Sequence, residues 1–215
     1  MIHTLELVPF LLKGVVITIE LTVMAAVLAF IMSFIAGFAR LSKYAIVRVI
    51  TQIYVEVFRG TSLLVQLFWV YFVLPFFGIE LSAMMTGVLV LGLNYGAYGS
   101  EVIRSSILAI PKGQIEAGIA LNMSSNLIMR KVILPQALLI MLPPLGNYLI
   151  ELLKSTALVS LITLHDLMFV GTMINNVTLR TVEVYSLVLI IYFLLAYPLT
   201  LGIRRLEKSL SAGRA

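Results

Sequence analysis

Cysteine is absent from this 215-residue chain. Disulfides and thiolate metal sites are therefore excluded. Charge is almost as scarce: Asp, Glu, Lys and Arg make up 12% of the residues, against 61% hydrophobic. Soluble domains run nearer roughly a quarter charged and half apolar, so too few charges remain here to cover a water-facing surface. The mean hydropathy of +1.09 says the same, and lipid must be the solvent. The two histidines, His3 and His165, lie far apart in sequence and do not point to a metal site. No Gly-rich phosphate loop of the Walker type occurs, so no nucleotide site is visible on this chain. Nor is there a set of catalytic residues. The formal charge is +5. It lies between apolar runs, as in the basic loops of membrane proteins, and not on a soluble face that would suit a nucleic acid.

A membrane-crossing helix needs about 20 mainly apolar residues. Five segments qualify, at about 11–39, 57–77, 81–100, 132–150 and 184–203. The chain is thus expected to be one all-α membrane domain over residues 1–215. The first segment does not read as a cleavable leader: its apolar run is long and its basic residues follow it. Pro198 is expected to bend the last span. The stretch 156–178 is too polar for a sixth span, with His165, Asp166, Asn175 and Asn176, and reads as short outer-face helices packed on the bundle.

Orientation follows from the basic residues. Arg40, Lys43 and Arg48 follow the first span; Arg104, Lys112, Arg130 and Lys131 lie between the third and fourth; Arg204, Arg205, Lys208 and Arg214 follow the fifth. On an alternating topology these regions share one face, and their excess of positive charge places it in the cytoplasm. The N-terminus is then outside and the C-terminus inside.

The segment between the third and fourth spans, about 111–131, has its own pattern. Pro111 and Gly113 break the preceding helix, and a short helix restarts over 114–121. Ala117, Ala120, Leu121 and Ser124 recur at helical spacing as a small, mildly apolar stripe. Glu116 sits near the helix start, where a carboxylate suits the dipole. Asn122 tolerates a left-handed corner, and Ser124 or Ser125 suits the cap of a second short helix. From the residues alone, this is either a docking loop or an amphipathic loop lying on the headgroups.

Glu116-Ala117-Gly118-Ile119-Ala120-Leu121-Asn122-Met123, followed by Val132-Ile133-Leu134-Pro135-Gln136-Ala137, resembles the cytoplasmic EAA loop of ABC-importer membrane subunits. Glu56-Val57-Phe58-Arg59-Gly60-Thr61-Ser62-Leu63-Leu64-Val65-Gln66 is similar to the E-x-F-R-G-T-P-L-L-V-Q stretch of polar amino-acid permeases, the histidine, glutamine, arginine and opine type. The runs Tyr98 to Arg104, Ile110 to Gln114, Leu142 to Asn147 and Leu152 to Thr156 extend the likeness, which covers about 14–206. Gly118 stands where the family usually has Ala, Asn122 where it has Gly, and Ser62 where it has Pro.

The resemblance implies a type I ABC-importer permease fold with five spans and EAA coupling helices, in a bacterial inner membrane. It implies that Glu116, Ala117, Gly118, Ala120, Leu121, Asn122 and Met123 dock on an ATPase subunit. The expected partners are two cytoplasmic ATPase subunits, which would hold ATP and Mg, a second permease subunit, identical or different, and an extracytoplasmic solute-binding protein. No cofactor is expected on this chain. An ectoine and hydroxyectoine importing branch is included in the likeness.

Charges at membrane depth are costly and mark functional sites. Glu56 with Arg59, Glu101 with Arg104, and Glu151 with Lys154 stand three residues apart, which places each pair on one helix face. The first two are expected to act as structural or gating ion pairs. A zwitterionic or cationic solute would need hydrogen-bonding partners, and Gln66, Asn94, Tyr95 and Asn147, with Glu151 near the outer mouth, are the expected path. Gly92, Gly96 and Gly99 read as a close helix contact. A rival function, an ATP-independent channel or secondary transporter, would need an uncompensated acid in mid-span. Glu20 is its one candidate. A membrane scaffold without transport is the remaining alternative, and the polar groups within the spans speak against it.

Overall fold

The computed structural model describes residues 7–211 of the chain; His3 and Arg214 lie outside the described residues. Among those residues the fold is helical throughout. Helix α1 runs Val8–Ala39, α2 Ala45–Gly60 and α3 Leu63–Phe68. The last continues through a π-turn, Trp69–Val73, and a 3-10 turn, Leu74–Phe77. Helix α4 spans Ala83–Leu108, α5 Lys112–Ala120 and α6 Ser125–Ile128. A π-turn, Met129–Ile133, leads into α7, Leu134–Ser155, which extends as a 3-10 turn, Thr156–Ile162. Helices α8, Leu167–Thr178, and α9, Thr181–Ser211, complete the chain.

Lipid as the solvent explains how α1 is decorated. Phe10, Val16, Val23, Val27 and Phe30 stay exposed on one side, while Leu11, Thr18, Leu21, Ala25 and Ala29 are buried on the other. The buried side carries no ionic residue, and the exposed side is apolar apart from Lys13 and Glu20. The buried side meets α4 along the glycine stripe. A Cβ on Gly92 would come 2.6 Å from Leu28, one on Gly96 2.7 Å from Met32, and one on Gly99 2.1 Å from the Ser33 hydroxyl. Small residues here permit the two backbones to approach, which is how membrane helices associate when hydrophobicity supplies no contrast.

Three helices are long and apolar enough to cross a membrane: Val8–Ala39, Ser125–Ile162 and Thr181–Ser209. The expected second span, 57–77, is not one helix. Residues 57–60 end α2, and α3 departs from it at 105° across Thr61 and Ser62. The expected span read across Arg59-Gly60-Thr61-Ser62, which interrupts the apolar runs on either side. The pair counts as at most one broken span. Helix α4, expected at 81–100, has 26 residues, about 39 Å at 1.5 Å per residue. Its glycines, Asn94, Tyr95 and Ser100 lower its hydropathy, and they are tolerated because neighbouring helices bury them. Helix α9 runs without interruption through Pro198.

The turn that precedes α8 is pinned between α1, α8 and α9. Asp166 is fully buried and caps α8, accepting from the backbone N–H groups of Phe169 at 2.9 Å and Met168 at 3.3 Å. The Tyr192 hydroxyl donates to the same carboxylate at 3.3 Å. Burial pushes the Asp166 carboxyl up to about 6, against the opposing pull of those N–H groups. Gly14 makes the arrangement possible, since a Cβ there would lie 2.7 Å from the Leu167 Cα.

Candidate functional site

The expected docking loop folds as two short helices joined by a tight corner. Helix α5 ends in a Schellman motif. The Asn122 N–H donates to the Ile119 carbonyl at 2.8 Å, and the Met123 N–H to the Gly118 carbonyl at 3.0 Å. Asn122 takes the left-handed conformation this requires, at φ 57°. The Ser124 hydroxyl then caps α6 by accepting from the Leu127 N–H at 3.4 Å. Glu116, Ala117, Ala120, Leu121 and Asn122 are exposed, Met123 is half-buried and Gly118 is buried. A Cβ on Gly118 would meet Ile128 at 2.8 Å. Ile128 thus fills the space that a side chain at position 118 would use.

Two large apolar side chains absent from the expected stripe, Ile115 and Ile119, join Leu121 on the exposed side of this loop. Ile119 is 63% exposed and Leu121 76%, with Ile115 beside them at 36%. The i, i+4 spacing of Ile115 and Ile119 was the available signal. Below the surface, Ile128 joins an apolar cluster with Ile103, Ile107 and Ile110 of the α4 region and Ile133, Ala137 and Met141 leading into and along α7.

The three expected ion pairs fare differently. Glu101 accepts from the Arg104 guanidinium at 2.5 and 3.2 Å. It also accepts from Arg40, at the C-terminal cap of α1, a partner the sequence spacing could not reveal. Glu56 and Arg59 form no ion pair, nor do Glu151 and Lys154, among the described residues. All four side chains are exposed. The Arg59 guanidinium instead stacks over the Tyr98 ring, 5.3 Å from its centroid, because the bend after Gly60 turns the end of α2 towards α4.

The expected solute-path residues separate into two groups. Gln66 and Asn94 are brought together at the bend. The Gln66 amide donates to the Phe58 carbonyl at 2.9 Å and to the Thr61 hydroxyl at 2.7 Å. The Asn94 amide donates to the same Phe58 carbonyl at 2.9 Å and to Gln66 Oε1 at 3.1 Å. These amides satisfy the carbonyl that α2 frees on breaking. Tyr95, Asn147 and Glu151 lie elsewhere. The Tyr95 hydroxyl is 2.7 Å from the Ser155 hydroxyl. Asn147 and Glu151 are exposed on α7. Tyr98 and Tyr148, not singled out from sequence, join Tyr95 in an aromatic cluster with centroids 5.7 to 6.5 Å apart. Only their scattered spacing concealed it. Among the described residues no three His, Cys, Asp or Glu side chains converge as metal ligands.

Beside this cluster lies an apolar cleft of about 440 Å³ between α1, α7 and α9, bordered by Phe30, Leu145, Leu149 and Ile203, with Tyr95 and Tyr148 at its back.

Residues 25–212 match the family model described as the inner membrane component of binding-protein-dependent transport systems. The chain is 43% identical to a probable amino-acid ABC transporter permease protein of Sinorhizobium fredii, over 94% of this chain and 87% of the relative. It is 37% identical to the L-cystine transport system permease protein of Bacillus subtilis, over 94% and 87%. To the glutamine transport system permease protein of Escherichia coli it is 36% identical, over 94% and 93%. A crystal structure of an amino acid ABC transporter with histidines superposes with a TM-score of 0.92 at 35% identity, covering 97% of both chains. An inward-facing MetNI methionine ABC transporter superposes with a TM-score of 0.78 at 20% identity, over 94% of this chain and 96% of that one, a likeness of fold.

Proposed function

We propose a function from one premise: the chain belongs to the family of inner membrane components of binding-protein-dependent transport systems. It is the permease subunit of an ABC importer, and the solute we assign is an amino acid. The relatives named for glutamine, for L-cystine and for amino acids in general support that class. No observation favours ectoine over an amino acid.

The single observation that carries the mechanism is the corner at Asn122. It presents Ile115, Ile119 and Leu121 outward on a short helix whose other side is keyed by Gly118 to Ile128. An exposed apolar knob on a cytoplasmic loop suits a groove on a partner. We assign Glu116, Ala117, Gly118, Ala120, Leu121, Asn122 and Met123 to docking on an ATPase subunit. In this reading two such subunits bind ATP and Mg, a second permease subunit completes the pathway, and an external binding protein delivers the solute. The N-terminal end of α1 lies outside and the C-terminal end of α9 inside, as the basic residues Arg40, Arg48, Lys112, Arg130 and Arg204 favour.

The test is reconstitution. Proteoliposomes carrying the chain with its co-purifying ATPase and binding protein should take up one or more of the ¹⁴C-labelled standard α-amino acids when ATP is supplied. Uptake of none of them overturns the solute class, and uptake without ATP overturns the coupling. A cytoplasm-only reporter fused after Ala215 should be active, and one inserted at Asn176 silent.

A further inference from the structure

The apolar cleft between α1, α7 and α9 has no part in the reading above. Helices α1 and α9 touch where both begin, with Leu11 and Val15 packed in one cluster with Val184 and Val188. Further along they diverge. Phe30 lies about 28 Å along α1 from Leu11, at 1.5 Å per residue, and there Ala26, Val27 and Phe30 border the cleft on one side, with Ile203 and Glu207 of α9 on the other. Its floor is α7, seated so closely on α9 that a Cβ on Gly146 would lie 2.5 Å from Ile203. Val27 is 56% exposed and Phe30 60%, so the cleft opens sideways between α1 and α9. Polar groups on its walls are few. The Ser33 hydroxyl donates to the Ala29 carbonyl at 2.6 Å, and the Tyr95 hydroxyl is engaged with Ser155 at 2.7 Å. That leaves the Tyr148 hydroxyl at the back and the Glu207 carboxylate at the C-terminal end of α9. Arg204 stands one turn before Glu207 on the same face of α9, and both Arg204 and Arg205 are exposed. The cleft is thus hydrocarbon along its length, with a cation and an anion at one end.

We propose that this cleft binds one phosphatidylethanolamine molecule from the leaflet beside the C-terminal end of α9, the cytoplasmic leaflet on the orientation given above. One acyl chain enters between Phe30 and Ile203 and lies along α7. Arg204, with Arg205 alongside, holds the phosphate, and Glu207 accepts from the headgroup ammonium. The planar guanidinium fork matches phosphate oxygens in two parallel hydrogen bonds. An ammonium offers N–H donors for charge-assisted bonds to the carboxylate, whereas phosphatidylglycerol brings no cation to Glu207. Hydrophobicity gives no contrast between a lipid chain and an apolar helix face, so the charged end supplies the selectivity and the cleft supplies the shape. The bound lipid acts as a structural member: it supports α1 along the stretch where α9 has turned away from it.

The experiment uses the assembled permease–ATPase complex in nanodiscs of phosphatidylethanolamine and phosphatidylglycerol, with retained lipid identified by native mass spectrometry. Wild type should keep one phosphatidylethanolamine per copy of this chain, in preference to phosphatidylglycerol. Glu207→Gln should erase that preference. Arg204→Gln removes charge-assisted hydrogen bonds, so the phosphatidylethanolamine fraction needed for half occupancy should rise about tenfold. Ala26→Trp should fill the cleft and displace the lipid with both charges intact. Arg204 is exposed, so its replacement leaves the fold in place. The chain has no cysteine, and Val27→Cys therefore carries a single benzophenone maleimide label at the cleft. Irradiation should attach phosphatidylethanolamine to it. Attachment to a peptide of the second permease subunit instead overturns the proposal, because a helix then covers the cleft. Retention without headgroup preference in wild type, or retention unchanged in Arg204→Gln and Ala26→Trp, also overturns it and reduces the lipid to the ordinary annulus. None of these readouts depends on which solute is carried, so they stand or fall apart from the amino-acid reading.

Discussion

The side-chain amide of Asn94 donates to the backbone carbonyl of Phe58, 2.9 Å away, so a residue of α4 closes the end of α2. Asn94 is only 4% exposed. The carbonyl is one of those a helix leaves unsatisfied at its C-terminus.

Replacing Asn94 with Leu should therefore destabilise the chain. An unsatisfied buried polar group costs about 1–3 kcal/mol. Gln66→Leu should also cost stability: each variant keeps one amide on the Phe58 carbonyl and breaks the bond between the two amides. Thermal unfolding of the detergent-solubilised protein measures both. Equal stability of Asn94→Leu and wild type would show that the bend holds by packing alone.

Ala120 is exposed on the docking helix, where a bulky residue should overfill the partner's groove. Ala120→Trp should cost about 1–3 kcal/mol of assembly, and Ile119→Glu should also weaken it by placing a charge in an apolar contact. Neither side chain packs in the chain's own core, so stability should hold. Pull-down of the ATPase at wild-type levels by both variants would remove this helix from the interface.

The Asp166 carboxyl should impose a pH dependence on stability. Its folded value, pushed up to about 6, stands above the ordinary 3.8. Between those values the folded chain holds a proton that the unfolded chain has released. Stability is then greatest below the unfolded value, falls as pH rises through about 4 to 6, and levels off above. Asp166→Asn keeps a capping oxygen and removes the titration. The difference between the melting curves of the two proteins across pH isolates Asp166. Parallel curves would contradict the burial argument.

Gly14→Ala tests the turn that precedes α8. The added methyl would lie 2.7 Å from the Leu167 Cα and 2.8 Å from the Asp166 carbonyl oxygen. Backbone atoms cannot swing aside as side-chain ends can, so the turn must move. The expected cost is about 1–3 kcal/mol, with faster protease cleavage within 163–180. A fully tolerated Gly14→Ala would mean that α1 slides freely past this turn.

Much of this architecture was legible in the sequence because it depends on local chemistry. Long apolar runs announced the helices. Asn122 and Ser124 announced a corner and a cap, since both residue types act on their own backbone. The bend at Thr61–Ser62 was hidden, because hydropathy is indifferent to direction and the bracing amides come from residues far along the chain. Spacing also overstated the ion pairs. Residues three apart share a face, but Arg59 found a tyrosine ring, and Glu101 found Arg40 on another helix. The bracing contacts of Gln66 and Asn94 were hidden for a related reason: polar side chains inside spans suggest a solute, and only coordinates show that a backbone carbonyl also engages them.

The burial of Ile128 has a mechanical consequence. Its side chain sits in the same apolar cluster as Ile103 and Met141, so the loop that carries Gly118 and Ile128 is packed directly on α4 and α7. In the docking reading proposed above, a push on that loop bears on the same two helices that carry Tyr98 and Tyr148.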